Sequence, residues 1–395
     1  MKRILLISPF FYPEKISTGF FNTRLAENLL FKGNELDVWC SHPFYPEWKP
    51  RFSNSNKFAT QIRRSGLNIW YPSNNFFRRI VLETWFSVSI FFNILRGKKE
   101  YDLIISVVPP TIFSMVIGLL LDRSKHVIFV ADLQSIHFES KNNFLKIAIA
   151  KIIKKIESLS FKLSSRIVFL SDSMANFIGK NNLKNVVVRV CYGGVTLKRS
   201  KYPKKVEFMN SEDINVVYSG ALGEKQIPDF LFETFDKASQ ILKDANFFII
   251  SNGPNFERIK ERGKNISSNI KFYDLVPEDC LEDLYLKSSI QVIPQKAGTS
   301  DGSMPSKLPN LLKMNCPIFS ITDKGSDVSH ILDEYHLGFH TNTTDSENAS
   351  RLLARAINDL REIRASRDEE EIIASTEKIL SEKFSMEKLI SALIS

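Results

Sequence analysis

Short apolar runs alternate with helix-patterned segments along this chain, and the alternation is interrupted once and then restarts. Ile4–Ser8 is a strand-like run, Asn22–Phe31 places Leu25, Leu29 and Leu30 at helical spacing before Gly33, and Leu36–Cys40 is strand-like again. Strand, helix and strand in that order form a parallel unit, because only a crossover returns the chain in the same direction. Further strand-like runs stand at Leu103–Val108, Val127–Val130, Arg166–Leu170 and Val186–Val190. Lys198–Asp213 is charged and strand-poor, and reads as a linker. After it the pattern resumes at Val216–Ser219, Phe247–Ile250, Ile270–Tyr273, Gln291–Pro294 and Pro317–Ile321. The fold class expected is α/β, with two Rossmann-like parallel-sheet domains facing a cleft, and 395 residues suit two cores better than one. The boundaries expected are 1–200 and 201–375.

Charge separates the halves. Residues 1–200 hold 29 Lys and Arg against 13 Asp and Glu, and the rest hold 24 against 31, so the halves carry net charges of +16 and −7. A basic half suggests an anionic partner, either nucleic acid or an anionic membrane leaflet. No nucleic-acid recognition pattern accompanies it. Two segments favour the membrane. Phe76–Lys99 is an apolar helix bracketed by Arg78, Arg79, Arg96, Lys98 and Lys99, and Phe144–Lys162 is a basic amphipathic helix. A buried domain helix is the other reading of the first. Leu103–Leu121 has 19 residues without a charge, but Pro109-Pro110 divides it, so a buried strand, a turn and a core helix are expected. Ile4–Ile7 is too short for a secretory signal. Four scattered cysteines form no zinc or disulfide pattern and suit a reducing cytosol.

Ligands of parallel α/β sheets gather at the carboxyl ends of the strands, so the loops there are the candidates. Pro9–Gly19 is one, with Gly19 allowing close approach of the backbone or simply preceding a helix. Asp132 ends a strand and could be a general base, a sugar-hydroxyl ligand or a helix cap, and His137 lies nearby. His42–Trp48 is an aromatic loop that could stack on a sugar or cover a core edge. Gly220 and Gly223 flank a turn that leads to Lys225, and Asn252-Gly253-Pro254 forms another. Gln291–Leu312 is the richest stretch. A strand leads into a polar loop holding Asp301, Ser306 is the expected N-cap, and Lys307 and Asn310 share a helix face. A helix start with a lysine is an anion site, or else a corner with solvated charges.

Taken together, these residues resemble the family 4 glycosyltransferases of the GT-B fold, in the colanic-acid and O-antigen branch that includes fucosyl- and N-acetylfucosaminyl-transferases. The marks are Phe11-Tyr12-Pro13-Glu14 with Gly19 and Leu25-Ala26-Glu27; Pro43–Trp48; Val107-Val108-Pro109; Tyr218-Ser219-Gly220 with Gly223–Gln226; Gln295-Lys296, Gly298, Asp301, Pro305–Leu308 and Asn310; and Phe384–Lys388. The resemblance implies a nucleotide-diphospho-sugar donor, retention of anomeric configuration, and no metal or other cofactor. It implies that Lys225 and Lys307 contact the diphosphate, with Gly19 supplying backbone from across the cleft, and Gly220, Gly223 and Ser306 are expected among the donor-binding residues. Asn252, Gly253, Val276 and Pro277 would line base and ribose, and Asp301 and Asn310 would hold hydroxyls. Asp132 would be the catalytic or acceptor-orienting residue, and residues 376–395 a terminal helix returning to the first domain. The chain departs from the wider family in two places. Gly302 and Asn310 stand where Glu-x7-Glu is common, and Gly220-Ala221 stands where Gly-Arg is common.

The resulting expectation is a cytoplasmic enzyme, peripheral on the inner face of the plasma membrane. It would transfer a sugar to a polyprenyl-diphosphate-linked saccharide in surface polysaccharide synthesis. A nucleotide-sugar epimerase on the same fold would have little use for Phe76–Lys99, and a non-catalytic nucleotide-sugar-binding subunit would tolerate loss of Lys307.

Overall fold

The computed structural model describes all residues except 15, 57, 59, 98, 139–143, 180–182, 184, 185, 195, 196, 198–203, 265–268, 336, 337, 367 and 368, and the side chains of 75, 137, 138, 144–146, 335, 362–366 and 369–372. The chain divides into two units. The first holds Met1–Thr196, Gly302–Met304 and Ser385–Ser395, and the second holds Leu197–Asp301 and Pro305–Phe384.

The first unit is built on β1 (Arg3–Ile7), β2 (Glu35–Ser41), β3 (Gln61–Ser65), β4 (Leu103–Val108), β5 (His126–Val130), β6 (Arg166–Phe169) and β7 (Val187–Val190). All pair in parallel in the order β3-β2-β1-β4-β5-β6-β7. Both faces of the sheet are covered, so β4 and β5 are buried along their full length and read as continuous apolar runs rather than as alternation. The helices are α1 (Ser17–Phe31), α2 (Asn75–Arg96), α3 (Ile112–Leu120), α4 (Phe144–Lys162) and α5 (Asp172–Ile178). Pro109 and Pro110 end β4 and separate it from α3, so the uncharged stretch is the expected strand, turn and helix. Among the described residues no helix is long and apolar enough to cross a membrane.

The second unit is a six-stranded parallel sheet of β8 (Ile214–Ser219), β9 (Ala245–Ile250), β10 (Ile270–Tyr273), β11 (Ile290–Pro294), β12 (Ile318–Ile321) and β13 (Gly338–Thr341), in the order β10-β9-β8-β11-β12-β13. Its helices are α6 (Pro228–Ile241), α7 (Pro254–Gly263), α8 (Leu281–Lys287), α9 (Leu308–Lys313), α10 (Asp327–Tyr335), α11 (Ser346–Ser366) and α12 (Glu369–Glu382). The last helix, α13 (Met386–Ile394), groups with the first unit. Leu389, Ile390 and Leu393 bury themselves with Ile4, Leu6 and Leu25, and Arg166 donates to the carbonyls of Ala392 and Leu393 at 3.3 and 3.2 Å.

The described end of the expected linker is not a free tether. Val206 and Met209 are buried, Phe208 stacks on Tyr273 at 3.8 Å, and the Val206 amide donates to Asp283 at 2.6 Å. Three apolar side chains among charges were the signal, and they dock the segment onto the second unit.

Candidate active site

In the second unit the order of strands reverses between β8 and β11, and the loops after these two strands flank the switch point. Lys307 lies there. Its ammonium donates to the carbonyls of Val292 at 2.8 Å and Ser219 at 3.3 Å, so it bridges the middle of β11 and the end of β8. The Tyr218 ring stands 4.5 Å from it, and the Tyr218 hydroxyl donates to the Ala221 carbonyl at 2.6 Å. Tyr218 therefore holds the following turn and presents a π face to the lysine. Burial pulls the Lys307 ammonium down to about 7, since among the described residues no carboxylate offsets the lost hydration. An arriving anion would reverse that balance.

Lys225 sits on the adjacent turn, where its carbonyl accepts from the Lys296 amide at 2.7 Å. This bond ties the β8 loop to the β11 loop. Gly220 has φ +136°, a conformation that favours glycine, but its amide donates to the Ile250 carbonyl at 3.0 Å. The Gly223 amide donates to Gln226 at 3.1 Å. Both glycine amides thus shape the turn, and a Cβ at Gly220 would meet open space. Asn252 and Gly253 follow β9, with Gly253 at φ +91° as N-cap of α7. Val276 and Pro277 follow β10, and Asp301 lies exposed in the loop after β11. All these residues line one edge of the second sheet.

One expectation needs correction here. Ser306 is not the N-cap: Lys307 holds that position, without a side-chain cap, and Pro309 falls in the first turn. With only six residues, α9 is too short for a strong dipole of its own, so Lys307 supplies the charge. Asn310 is buried, and its side-chain oxygen accepts from the Leu197 amide at 3.0 Å. It fastens the start of the second unit. Asp323, unremarked in the sequence, accepts from the Gly298 amide at 2.9 Å and the Ser300 amide at 3.3 Å, which shapes the loop before Lys307.

In the first unit, Gly19 lies within the first turn of α1, not in the preceding loop. A Cβ there would meet the Glu14 carbonyl at 2.8 Å, so the glycine serves close packing. Glu14 is itself buried and accepts from the amides of Phe44 and Tyr45 at 2.9 and 2.8 Å. Burial raises its carboxyl, and the two amides oppose that. Phe44 packs with Trp48 and Tyr71, so the aromatic loop forms a small core of its own. The His137 side chain lies outside the described residues.

Asp132 follows β5 as expected, in a setting the sequence did not disclose. Two acids on separate helices converge on its loop. Glu83 of α2 accepts from the amides of Thr111 and Ile112 at 2.9 Å and from the Gln134 side chain at 2.7 Å. Thr111 is the N-cap of α3 but makes no side-chain cap bond, so Glu83 caps that helix from outside. Glu157 of α4 is buried and accepts from the Gln134 amide at 2.7 Å and the Ser135 hydroxyl at 2.5 Å. Burial pushes its carboxyl up to about 7, and the neighbouring Asp132 charge adds to this. The signal was one acid in an apolar helix and one among lysines.

Comparisons with known proteins bear on the fold and on the class of enzyme. Residues 200–373 match the family model "Glycosyl transferases group 1". Over 337 residues the chain is 23% identical to the Escherichia coli (strain K12) protein named "Putative colanic acid biosynthesis glycosyl transferase WcaI", covering 78% of this chain and 81% of that one. Among solved structures, a sucrose-phosphate synthase from Thermosynechococcus elongatus superposes with a TM-score of 0.73 at 12% identity, over 99% of this chain and 97% of its own. WaaG, a glycosyltransferase involved in lipopolysaccharide biosynthesis, superposes with a TM-score of 0.65 at 11% identity, over 99% of this chain and 100% of its own. The match over residues 200–373, the colanic-acid relative and the two parallel sheets of the GT-B fold identify the chain as a glycosyltransferase.

Proposed function

We propose that this enzyme is a retaining glycosyltransferase that moves a sugar from a nucleotide-diphospho-sugar to a polyprenyl-diphosphate-linked saccharide during surface polysaccharide synthesis. The observation that carries the reading is Lys307, an ammonium held at the switch point of the second sheet with, among the described residues, no carboxylate to neutralise it. Departure of a nucleoside diphosphate concentrates negative charge on the β-phosphate. Fixed positive charge in a poorly hydrated place stabilises that charge more than it does the resting donor. In this reading Lys307 and Lys225 meet the diphosphate, and no metal is required. Asn252, Gly253, Val276 and Pro277 line base and ribose. Asp301 and Asn310 hold sugar hydroxyls or ribose. Asp132 orients or deprotonates the acceptor hydroxyl, and Gly19 lends the amide of the first turn of α1. The similarity to a protein named for colanic acid biosynthesis supports a surface polysaccharide as product, and a 6-deoxy sugar such as fucose or N-acetylfucosamine is the transferred group in this proposal.

The acceptor is a lipid, and α2 supports a place on the inner face of the plasma membrane. Its solvent side carries Phe77, Ile80, Val88, Phe92 and Leu95, with Phe77 57% and Leu95 63% exposed. Arg79 and Arg96 flank this apolar stripe, and Lys151, Lys155 and Lys162 are exposed on α4. Apolar side chains at helical spacing with basic flanks suit an anionic bilayer surface. The test is to incubate the protein with UDP-, GDP- and dTDP-sugars and a bacterial membrane lipid extract, and to measure nucleotide release. Release with one donor that depends on the extract is the expected result. A folded protein that releases nucleotide with none would overturn the reading.

A further inference from the structure

The loop after β5 is held from three directions by groups outside the sugar-binding set. Residues Ala131–Ser135 leave the sheet at Asp132, and the backbone of Gln134 and Ser135 faces Glu157. Glu157 receives the Gln134 amide at 2.7 Å, the Ser135 amide at 3.4 Å and the Ser135 hydroxyl at 2.5 Å. The Gln134 side chain reaches the opposite way and donates to Glu83 at 2.7 Å. Glu83 spends its remaining acceptor capacity on the first amides of α3. Ser160, one turn beyond Glu157 on α4, pairs with Ser114 of α3 and donates to the Thr111 carbonyl at 3.4 Å. Helices α2, α3 and α4 are therefore joined through one short loop, and Asp132 lies at its start.

Every bond at Glu157 has the carboxylate as acceptor. Its two oxygens take three donors, a geometry that suits the ionised acid. Burying a carboxylate is costly, and a residue serving only to fill space between α4 and β5 would be apolar. The expenditure makes sense where a loop must be held in one place. A displacement of about 1 Å in a reacting group can lower turnover about 100-fold.

We propose that Glu157 and Glu83 are positioning residues that act through Gln134 and Ser135 to fix Asp132 for the acceptor hydroxyl. The inference rests on the reading of Asp132 as the acceptor-side residue of a glycosyltransferase. Glu157 fixes the backbone of the loop, and Glu83 fixes the Gln134 side chain to the start of α3. Neither touches the donor, which binds the other unit.

The test compares Glu157→Gln, Ser135→Ala and the wild type. Gln keeps the shape but replaces the oxygen that faces the Ser135 hydroxyl with an amide donor, so that hydroxyl must turn from donor to acceptor and the carboxylate charge on the loop is lost. Expected for Glu157→Gln is a fall in kcat of about 100-fold, with donor KM within twofold and melting temperature near that of the wild type. Ser135→Ala, which leaves the Gln134 amide bond in place, should show a smaller fall in kcat. Unchanged kcat in Glu157→Gln, or kcat, KM and melting temperature falling together, would overturn the proposal. Hydrogen exchange over residues 131–136 reads the same question without substrate. Faster exchange there in Glu157→Gln, with β6 unchanged, is expected, and equal exchange would overturn it. If the wild type transfers no sugar from any donor, the functional reading fails, and the exchange arm still decides whether the acids hold this loop.

Discussion

The two units place opposite charges at their strand ends, and each is opposite to the charge of its own half. Residues 1–200 carry net +16, but Glu14, Glu83 and Glu157 are buried acids near the ends of β1, β4 and β5. The remainder carries net −7, and the charge at its switch point is the ammonium of Lys307. The difference teaches that net charge reports on the surface, where lysines on α4 and arginines on α2 lie. The chemistry of a site follows from a few groups withdrawn from water. In the first unit carboxylates accept from backbone amides and fix loops. In the second, an ammonium donates to carbonyls that cannot neutralise it, and so remains ready for an anion.

The sharpest break in this contrast is Lys307→Met, which keeps length and removes charge. Transfer should fall by about 100- to 1,000-fold in kcat, measured as nucleotide release at saturating donor. The melting temperature should not fall, because a poorly hydrated ammonium costs stability. Equal loss on Lys225→Met alone would shift the weight to the turn after β8.

Replacing Phe77, Phe92 and Leu95 of α2 with Ser tests whether the basic, apolar surface of the first unit faces lipid. Each buried side chain of this size contributes about 1.5–3 kcal/mol, so sedimentation with anionic vesicles should be lost while donor binding stays. Retained sedimentation would confine membrane contact to other surfaces.

Dependence on pH separates the two sites. Lys307 ionises near 7 in the free protein, and a bound diphosphate raises that value. Affinity for the donor should therefore fall as pH rises above 7, by at most about tenfold per unit, and Lys307→Met should flatten the profile. The folded-state value lies below the unfolded one, so the ligand-free protein gains stability as pH rises from 7 toward 10. Thermal melts across that range check the sign.

Glu83→Ala gives the smallest effect. It removes the cap of α3 and the support of Gln134, and should lower stability by about 1–2 kcal/mol, measured by urea denaturation. A fully active, equally stable variant would show that Gln134 needs no anchor.

The alternation of apolar runs made both sheets legible, because strands covered on both faces have no polar positions to obscure them. Ile270–Tyr273 and Phe144–Lys162 fall where the pattern put them. The start of α1 was less clear, since Ser17, Thr18 and Gly19 carry no apolar periodicity and the turn is held by Glu14 packing from outside. Lys307 was legible as a charge at a strand-loop-helix corner, but its partners were not, because Ser219 and Val292 offer only backbone. Asn310 shared a helix face with Lys307 in the sequence, and nothing there said that Leu197 would claim its oxygen. Glu83 and Glu157 were invisible for a related reason. Each is a single acid whose ligands are amides far along the chain, and only the folded sheet brings them together.

Calorimetric titration of UDP, GDP and dTDP into the wild type and Lys307→Met tests the central claim most directly. The account predicts that one of these nucleotides binds the wild type and that Lys307→Met weakens it at least tenfold. No binding by any of them to the folded wild type, or equal binding by the variant, would contradict it.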